Sequence, residues 1–124
     1  MLKDKNGKVI TTHRGGSIRG IKSEKIQRML DFIEGGVWTW CVCPENKGKQ
    51  FALRDLFGGA NFDWNETPLQ ELHDKHLNEG RTDAEAWDCT RKDAGRLLKR
   101  VLIEDKREYV EGDAGMAKGY TWVG

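Results

Sequence analysis

The sequence has few of the residues that cross-link a chain or interrupt it, with three Cys and two Pro among 124 residues. An odd number of cysteines that includes the closely spaced Cys41 and Cys43 does not fit a disulfide framework, so we expect reduced thiols. No apolar run reaches the roughly 20 residues of a membrane-spanning helix. The N-terminus carries charges where a secretory signal has its apolar segment. These absences predict a cytoplasmic protein with no membrane segment.

Motifs for catalysis are absent as well. The sequence contains no Gly-x-Ser-x-Gly elbow, no phosphate-binding P-loop and no His-Glu-x-x-His metalloprotease motif. Acidic residues are numerous, but no spacing among them distinguishes a general acid from its base. We therefore expect that the protein is not an enzyme and that it needs no cofactor.

Side chains of the types that bind zinc are present, although their spacing is unfavourable. Two thiols one residue apart hold a metal less well than the usual Cys-x2–4-Cys knuckle. The competing interpretation is that the thiols are small buried side chains, with one His packed and one at the surface. We favour packing and no metal; the alternative zinc set is Cys41, Cys43, His73, His76 and Cys89.

Charge is unevenly distributed although the chain carries only +1 in total. Residues 1–28 hold eight Lys and Arg against two Asp and Glu, and residues 91–107 hold seven against three. Between them, residues 29–90 hold five against twelve. If folding joins the two basic segments, they form a surface for a polyanion. The alternative is that these charges are ordinary solvated surface.

The first half of the chain predicts an arm followed by a helix and a strand. Residues 1–22 read as a basic N-terminal arm or a small hairpin, because Asn6-Gly7 is a strong two-residue turn signal. A single domain then spans residues 23–124. It begins with a helix that Ser23 caps and Gly35-Gly36 ends. Strand-forming residues predict a short strand at 37–42.

The middle of the chain predicts three further helices. Residues 51–57 favour a short helix over a returning strand. Thr67 as N-cap, Pro68 at the first position and Gln70 closing a capping box predict a helix that ends near Gly80. Thr82 predicts the cap of a helix over 83–104, and the alternative is a break near residue 89 that makes Thr90 a second cap.

The C-terminal residues predict a β-hairpin. Residues 107–111 and 120–123 are rich in strand formers, and the Gly-rich segment between them is typical of a loop. The fold predicted is therefore α+β, with three to four helices, a short strand and a C-terminal hairpin.

This C-terminal layout resembles the winged helix-turn-helix superfamily, as found in small domains of phage and plasmid replication proteins and repressors. The resemblance lies in a basic helix over residues 93–102, the run at 107–110, and the run Lys118-Gly119-Tyr120-Thr121-Trp122. It implies a winged-helix-like domain that binds duplex DNA, with the helix in the major groove and the hairpin wing on the backbone or the minor groove. A phage- or plasmid-type regulator or replication accessory factor is the function that this resemblance implies.

Candidate DNA contacts follow from their positions. Base edges are usually reached from the N-terminal half of the helix, which carries Arg91, Lys92 and Arg96. Other basic residues would neutralise phosphates: Lys99, Arg100, Lys106, Arg107 and Lys118, with Arg14 and Arg19 in the arm.

The alternative function is a small protein-interaction domain, such as a phage-encoded inhibitor that binds a host protein. Five Trp are many for this length, and we expect Trp38, Trp40, Trp64 and Trp87 in the core. A Trp exposed among basic residues would instead stack on bases. A Trp exposed among acidic residues would indicate a protein-binding hot spot.

Overall fold

The computed structural model describes residues 1–13, 18–57, 64–115 and 117–123. In these ranges the helices are α1 (Ser23–Val42), α2 (Leu53–Leu56), α3 (Gln70–Asn78) and α4 (Asp83–Glu104). The strands are β1 (Leu2–Lys3), β2 (Val9–Ile10), β3 (Tyr109–Ala114) and β4 (Ala117–Trp122). A short 3-10 helix, Pro44–Asn46, follows α1. The α+β class, the helix number and the C-terminal hairpin are confirmed.

The strands form one mixed sheet in the order β2-β1-β3-β4. Both hairpins are antiparallel, while β1 pairs with β3 in parallel. Gly7 supplies the positive φ, +84°, that the N-terminal turn needs. On the outer side of β4, the backbones of Phe51 and Tyr120 form two hydrogen bonds of 2.7 and 2.8 Å. The sheet thereby joins the first residues of the chain, including the fully buried Leu2, to the C-terminal hairpin.

The predicted strand at 37–42 is wrong, because α1 continues through both glycines to Val42. The reason is burial: Ile33, Val37 and Cys41 lie four residues apart and face the core. A helical Gly costs only about 1 kcal/mol relative to Ala, which such burial outweighs. The helix also begins at residue 23 itself, so no Ser side chain caps it.

The starts of α3 and α4 differ in how well local signals predicted them. The capping box expected at Thr67 is wrong, since Gln70 Oε1 accepts from Glu66 N, Thr67 Oγ1 accepts from Leu69 N, and α3 begins only at Gln70. The cap of α4 is confirmed: Thr82 Oγ1 accepts from Glu85 N, and the Glu85 carboxylate accepts from Thr82 N. The alternative break near residue 89 is wrong, because α4 is one continuous helix of 22 residues.

The core lies where α1 and α4 pack together beside the sheet. Its largest fully buried side chains include Trp64, Tyr109, Phe51, Met29 and Leu97. Of the four Trp residues expected inside, Trp64 is buried and two are partly buried, but Trp38 is 38% exposed, so that expectation is wrong for Trp38. In the described part of the chain, no helix combines the length and apolar character needed to cross a membrane.

Candidate functional site

A cleft of about 750 Å³ opens between α2, α4 and β4, and we call it the cationic cleft. We call its apolar or small lining residues the floor, and three of them are at most 3% exposed (Ala52, Leu98 and Tyr120); the others are Leu53, Gly95 and Ala117. Its walls carry six basic residues and one acidic residue: Arg54, Arg91, Lys92, Arg96, Lys99, Lys118 and Asp88. The cleft is therefore a concave surface with positively charged walls above an apolar floor.

Helical periodicity explains how α4 contributes most of these walls. Arg91, Gly95 and Lys99 follow at intervals of four residues, and Lys92 and Arg96 form the adjacent row. The neighbouring face of α4 carries Ala94, Leu97, Leu98, Val101 and Leu102, which pack in the core, and Leu98 lies at the border where it also lines the cleft. Burial of that apolar stripe fixes the rotation of α4 and turns its basic rows toward α2 and β4.

Four of the wall cations already have an acidic neighbour within the chain. The pairs are Arg91 Nη1–Asp88 Oδ1 at 3.0 Å and, each at 3.3 Å, Arg96 Nη1–Asp93 Oδ1, Lys99 Nζ–Glu111 Oε2 and Lys118 Nζ–Asp113 Oδ1. No carboxylate of the described residues lies within ion-pair distance of Lys92 or Arg54. These two cations lie on different elements, α4 and α2, and have no such carboxylate partner, although Arg54 Nη2 donates a long hydrogen bond of 3.5 Å to Ala114 O.

Asp93 connects the cleft to a buried polar network between α3 and α4. The carboxylate is 6% exposed, and its Oδ2 lies 2.6 Å from His76 Nε2 and 3.7 Å from Lys75 Nζ. Arg81 Nη1 lies 3.0 Å from His76 Nδ1. Because a guanidinium can only donate, Nδ1 is the acceptor and the imidazole hydrogen lies on Nε2, which donates to Asp93. The network holds the Asp93 carboxylate, and that carboxylate accepts a hydrogen bond from Arg96.

The structure brings five of the ten predicted DNA contacts into the cleft: Arg91, Lys92, Arg96, Lys99 and Lys118. It places the others elsewhere. Arg100 pairs with Glu104 at 3.0 Å, and Lys106 is exposed beyond the end of α4. Arg19 lines a separate depression with acidic residues of α3. Arg14 lies outside the described residues. The sequence did not single out Arg54, whose short helix gives no sign of facing α4.

Arg107 has a different environment from the one predicted. Its guanidinium lies 5.0 Å from the ring centre of Trp38 and 5.2 Å from that of Trp122. Trp38 Nε1 donates to Asp105 Oδ2, and so does the Tyr109 hydroxyl, at 2.6 Å. Burial alone would raise the pKa of the Asp105 carboxyl, but these hydrogen bonds outweigh it and hold that pKa below its usual value.

The residues of the alternative zinc set have other contacts. His73 stacks on Trp87 with ring centres 4.0 Å apart, and both His73 and His76 are buried, so the expectation that one His is at the surface is wrong. The Cys43 thiol donates to Glu45, which raises its pKa, and burial raises the pKa of Cys41. Across the ranges that the structure describes, no three His, Cys, Asp or Glu side chains are placed to hold a metal ion.

Comparison of the chain with protein families, with curated proteins and with solved structures finds no match.

Proposed function

We propose that this protein binds DNA through the cationic cleft, as a winged-helix-like regulator or replication accessory factor of the kind that phages and plasmids encode. The observation that carries the proposal is the convergence of basic residues from three elements, α2, α4 and β4, on one concave surface. A chain of net charge +1 has no general affinity for polyanions, so such a local concentration of cations is what a phosphate backbone would recognise.

The order of elements supports the winged-helix interpretation. In that layout α4 would be the reading helix, and the β3–β4 hairpin that follows it directly would be the wing. Lys118 lies near the tip of this hairpin and forms one wall of the cleft, as a phosphate-binding wing residue would. A winged helix has a short strand between its first two helices that pairs with the wing. In this protein Phe51, between α1 and α2, would take that role, because its backbone bridges to β4.

The two unpaired cations are the sharpest test of the cleft. The double variant Arg54→Gln, Lys92→Gln removes both without breaking an internal ion pair. Removing two phosphate contacts should lower the slope of log affinity against log salt by about 1.4 to 1.8, since each contact contributes about 0.7 on a single strand and 0.9 on a duplex. We expect binding at low salt to weaken by at least about tenfold.

Fluorescence anisotropy with labelled mixed-sequence DNA, as duplex and as single strand, measures these quantities at several salt concentrations. The matched control is Arg28→Gln, Lys47→Gln, which removes the same charges from exposed positions outside the cleft. The control should bind like the unmodified protein. Absence of binding to either DNA form at low salt contradicts the proposal, and so does an equal loss in both double variants.

One observation favours the alternative function of a protein-interaction domain. Trp38 is 38% exposed and Val42, one turn later in α1, is 64% exposed. Together with Arg107 and Trp122 they form an aromatic and apolar patch, a composition typical of binding hot spots. A partner bound there would dissociate little with added salt, and Trp38→Ala would weaken its binding while leaving DNA binding unchanged.

A further inference from the structure

We infer that the cationic cleft receives unpaired nucleotides of a single strand, with bases on its floor and phosphates on its walls, rather than the groove of a duplex. This inference rests on the proposed binding of DNA by the cleft, and it replaces the duplex-reading role of α4 with binding of a single strand.

Arg54 of α2 stands on one side of the basic rows of α4 and Lys118 of β4 on another, so these cations line one concave surface, although the side chains of Arg91 and Arg96 remain 46% and 45% exposed. A helix that reads a duplex must enter a major groove about 12 Å wide, and it does so with a convex face. The side chains of Arg54 and Lys118, on either side of the helix, would meet the DNA backbone first. A single strand is narrow enough to lie between such walls.

The floor of the cleft also fits bases better than phosphates. Leu53 is the partly exposed aliphatic side chain of this floor, with the small residues Gly95 and Ala117 also accessible, while Leu98 and Tyr120 lie beneath it at 1% and 3% exposed. The outside of a duplex presents charged phosphates, which gain nothing from an apolar surface. The faces of unpaired bases are apolar and pack against aromatic or aliphatic side chains. A volume of about 750 Å³ lies within the usual range of ligand pockets, about 300–1,000 Å³.

Gly95 contributes to the open space at the floor of the cleft. It lies in the interior of α4, where a Gly lowers helix stability relative to Ala. An added Cβ there would meet nothing within 4 Å, so no neighbouring side chain requires a Gly. Because the residue lines the cleft, any larger side chain would project into it. A Gly at this position therefore leaves that part of the cleft open to a ligand.

The first measurement compares three labelled ligands on the unmodified protein: a single strand, the duplex of the same sequence, and an abasic strand of the same length. The abasic strand has the same phosphates and no bases. We expect the single strand to bind at least about tenfold more tightly than the abasic strand, and more tightly than the duplex. Equal affinity for single and abasic strands would overturn the inference, and so would a preference for duplex.

The second measurement uses Gly95→Leu, which fills part of the floor with a good helix former. The matched control is Gly35→Leu in α1, where an added Cβ likewise meets nothing within 4 Å. Gly95→Leu should weaken single-strand binding about tenfold or more and leave the abasic strand nearly unchanged, whereas the control should change neither. Single-strand binding that Gly95→Leu leaves intact would contradict the inference.

The two proposals fail in different ways. If the duplex binds best and the Arg54→Gln, Lys92→Gln variant still weakens it, DNA binding through the cleft stands and only the single-strand inference is wrong. If no nucleic acid binds at low salt, the proposed function itself is wrong.

Discussion

Asp93 links the stability of the fold to the cleft, and its replacement by Ala tests that link. The carboxylate is buried and accepts hydrogen bonds from His76 and Arg96, with Lys75 Nζ 3.7 Å away. Asp93→Ala would leave the Nε2–H group of His76 buried without an acceptor. It would also leave the Lys75 ammonium, whose side chain is only 13% exposed, without its nearest carboxylate.

The expected loss in the free energy of unfolding is large because the charges in this network are shielded from water. Removing one partner of a buried ion pair typically costs about 3–5 kcal/mol. The matched control is Asp88→Ala in the same helix, where the carboxylate pairs with Arg91 at the surface. An exposed pair contributes at most about 1 kcal/mol. Both variants gain the same helix propensity of Ala over Asp, so their difference isolates the buried network.

Urea unfolding followed by tryptophan fluorescence measures both free energies. We expect Asp93→Ala to be at least about 2 kcal/mol less stable than Asp88→Ala, with unchanged dependence on denaturant. Two variants within about 1 kcal/mol of each other would refute the buried network as a main support between α3 and α4.

Two further predictions concern α1 and the C-terminal end of α4. Burial would raise the pKa of Asp105, but hydrogen bonds such as the one from Tyr109 hold that pKa below its usual value. The ionised Asp105 carboxylate therefore stabilises the fold above its unfolded pKa of about 3.9. This stabilisation is lost as pH falls through the pKa of Asp105 in the folded protein. In the Asp105→Asn variant, the free energy of unfolding measured with urea should therefore decrease less steeply below about pH 4 than in the unmodified protein. The same steepness in both proteins would contradict this prediction. In α1, Gly35→Ala should stabilise the fold by about 0.8–1 kcal/mol, because its Cβ meets nothing within 4 Å. Gly36→Ala should lose that gain, since its Cβ would lie 2.6 Å from the Phe57 ring; equal urea midpoints for the two variants would exclude the clash.

The parts of the fold that the sequence predicted are those with local causes. The cap of α4 at Thr82 and the Asn6-Gly7 turn each depend on neighbouring residues, and the structure has both. The C-terminal hairpin was recognisable from strand formers around a Gly-rich turn. The parallel pairing of β3 with β1 was not recognisable, because pairing between residues more than 100 positions apart leaves no local pattern.

The wrong predictions share a different cause, which is burial by distant parts of the chain. Residues 37–42 have strand propensity, yet Val37 and Cys41 lie on the buried stripe of α1. Tertiary packing overrides propensity of this size. The capping box at Thr67 failed because the Gln70 side chain accepts from Glu66 N, one residue before the expected partner, a local alternative that residue spacing does not reveal.

The same division applies to the candidate site. Helical spacing predicts one basic face of α4, and the structure brings four of its residues to the cleft (Arg91, Lys92, Arg96 and Lys99), whereas the fifth, Arg100, pairs with Glu104 instead. The addition of Arg54 required knowing how α2 packs against α4. The concave shape and the apolar floor are also tertiary properties, and they change the kind of ligand that the same cations suit.

The pairing of cleft cations with internal carboxylates bears on where affinity arises. Four of the six basic residues have an acidic neighbour at 3.0 to 3.3 Å, so a bound phosphate must compete with that neighbour. Electrostatic attraction from the cleft is therefore weaker than six cations would give, and counterion release should reflect mainly Lys92 and Arg54. Tight binding would then need contacts besides phosphates, and the apolar floor around Gly95 offers them. A shallow salt dependence together with a strong penalty for missing bases is the combination that this arrangement predicts.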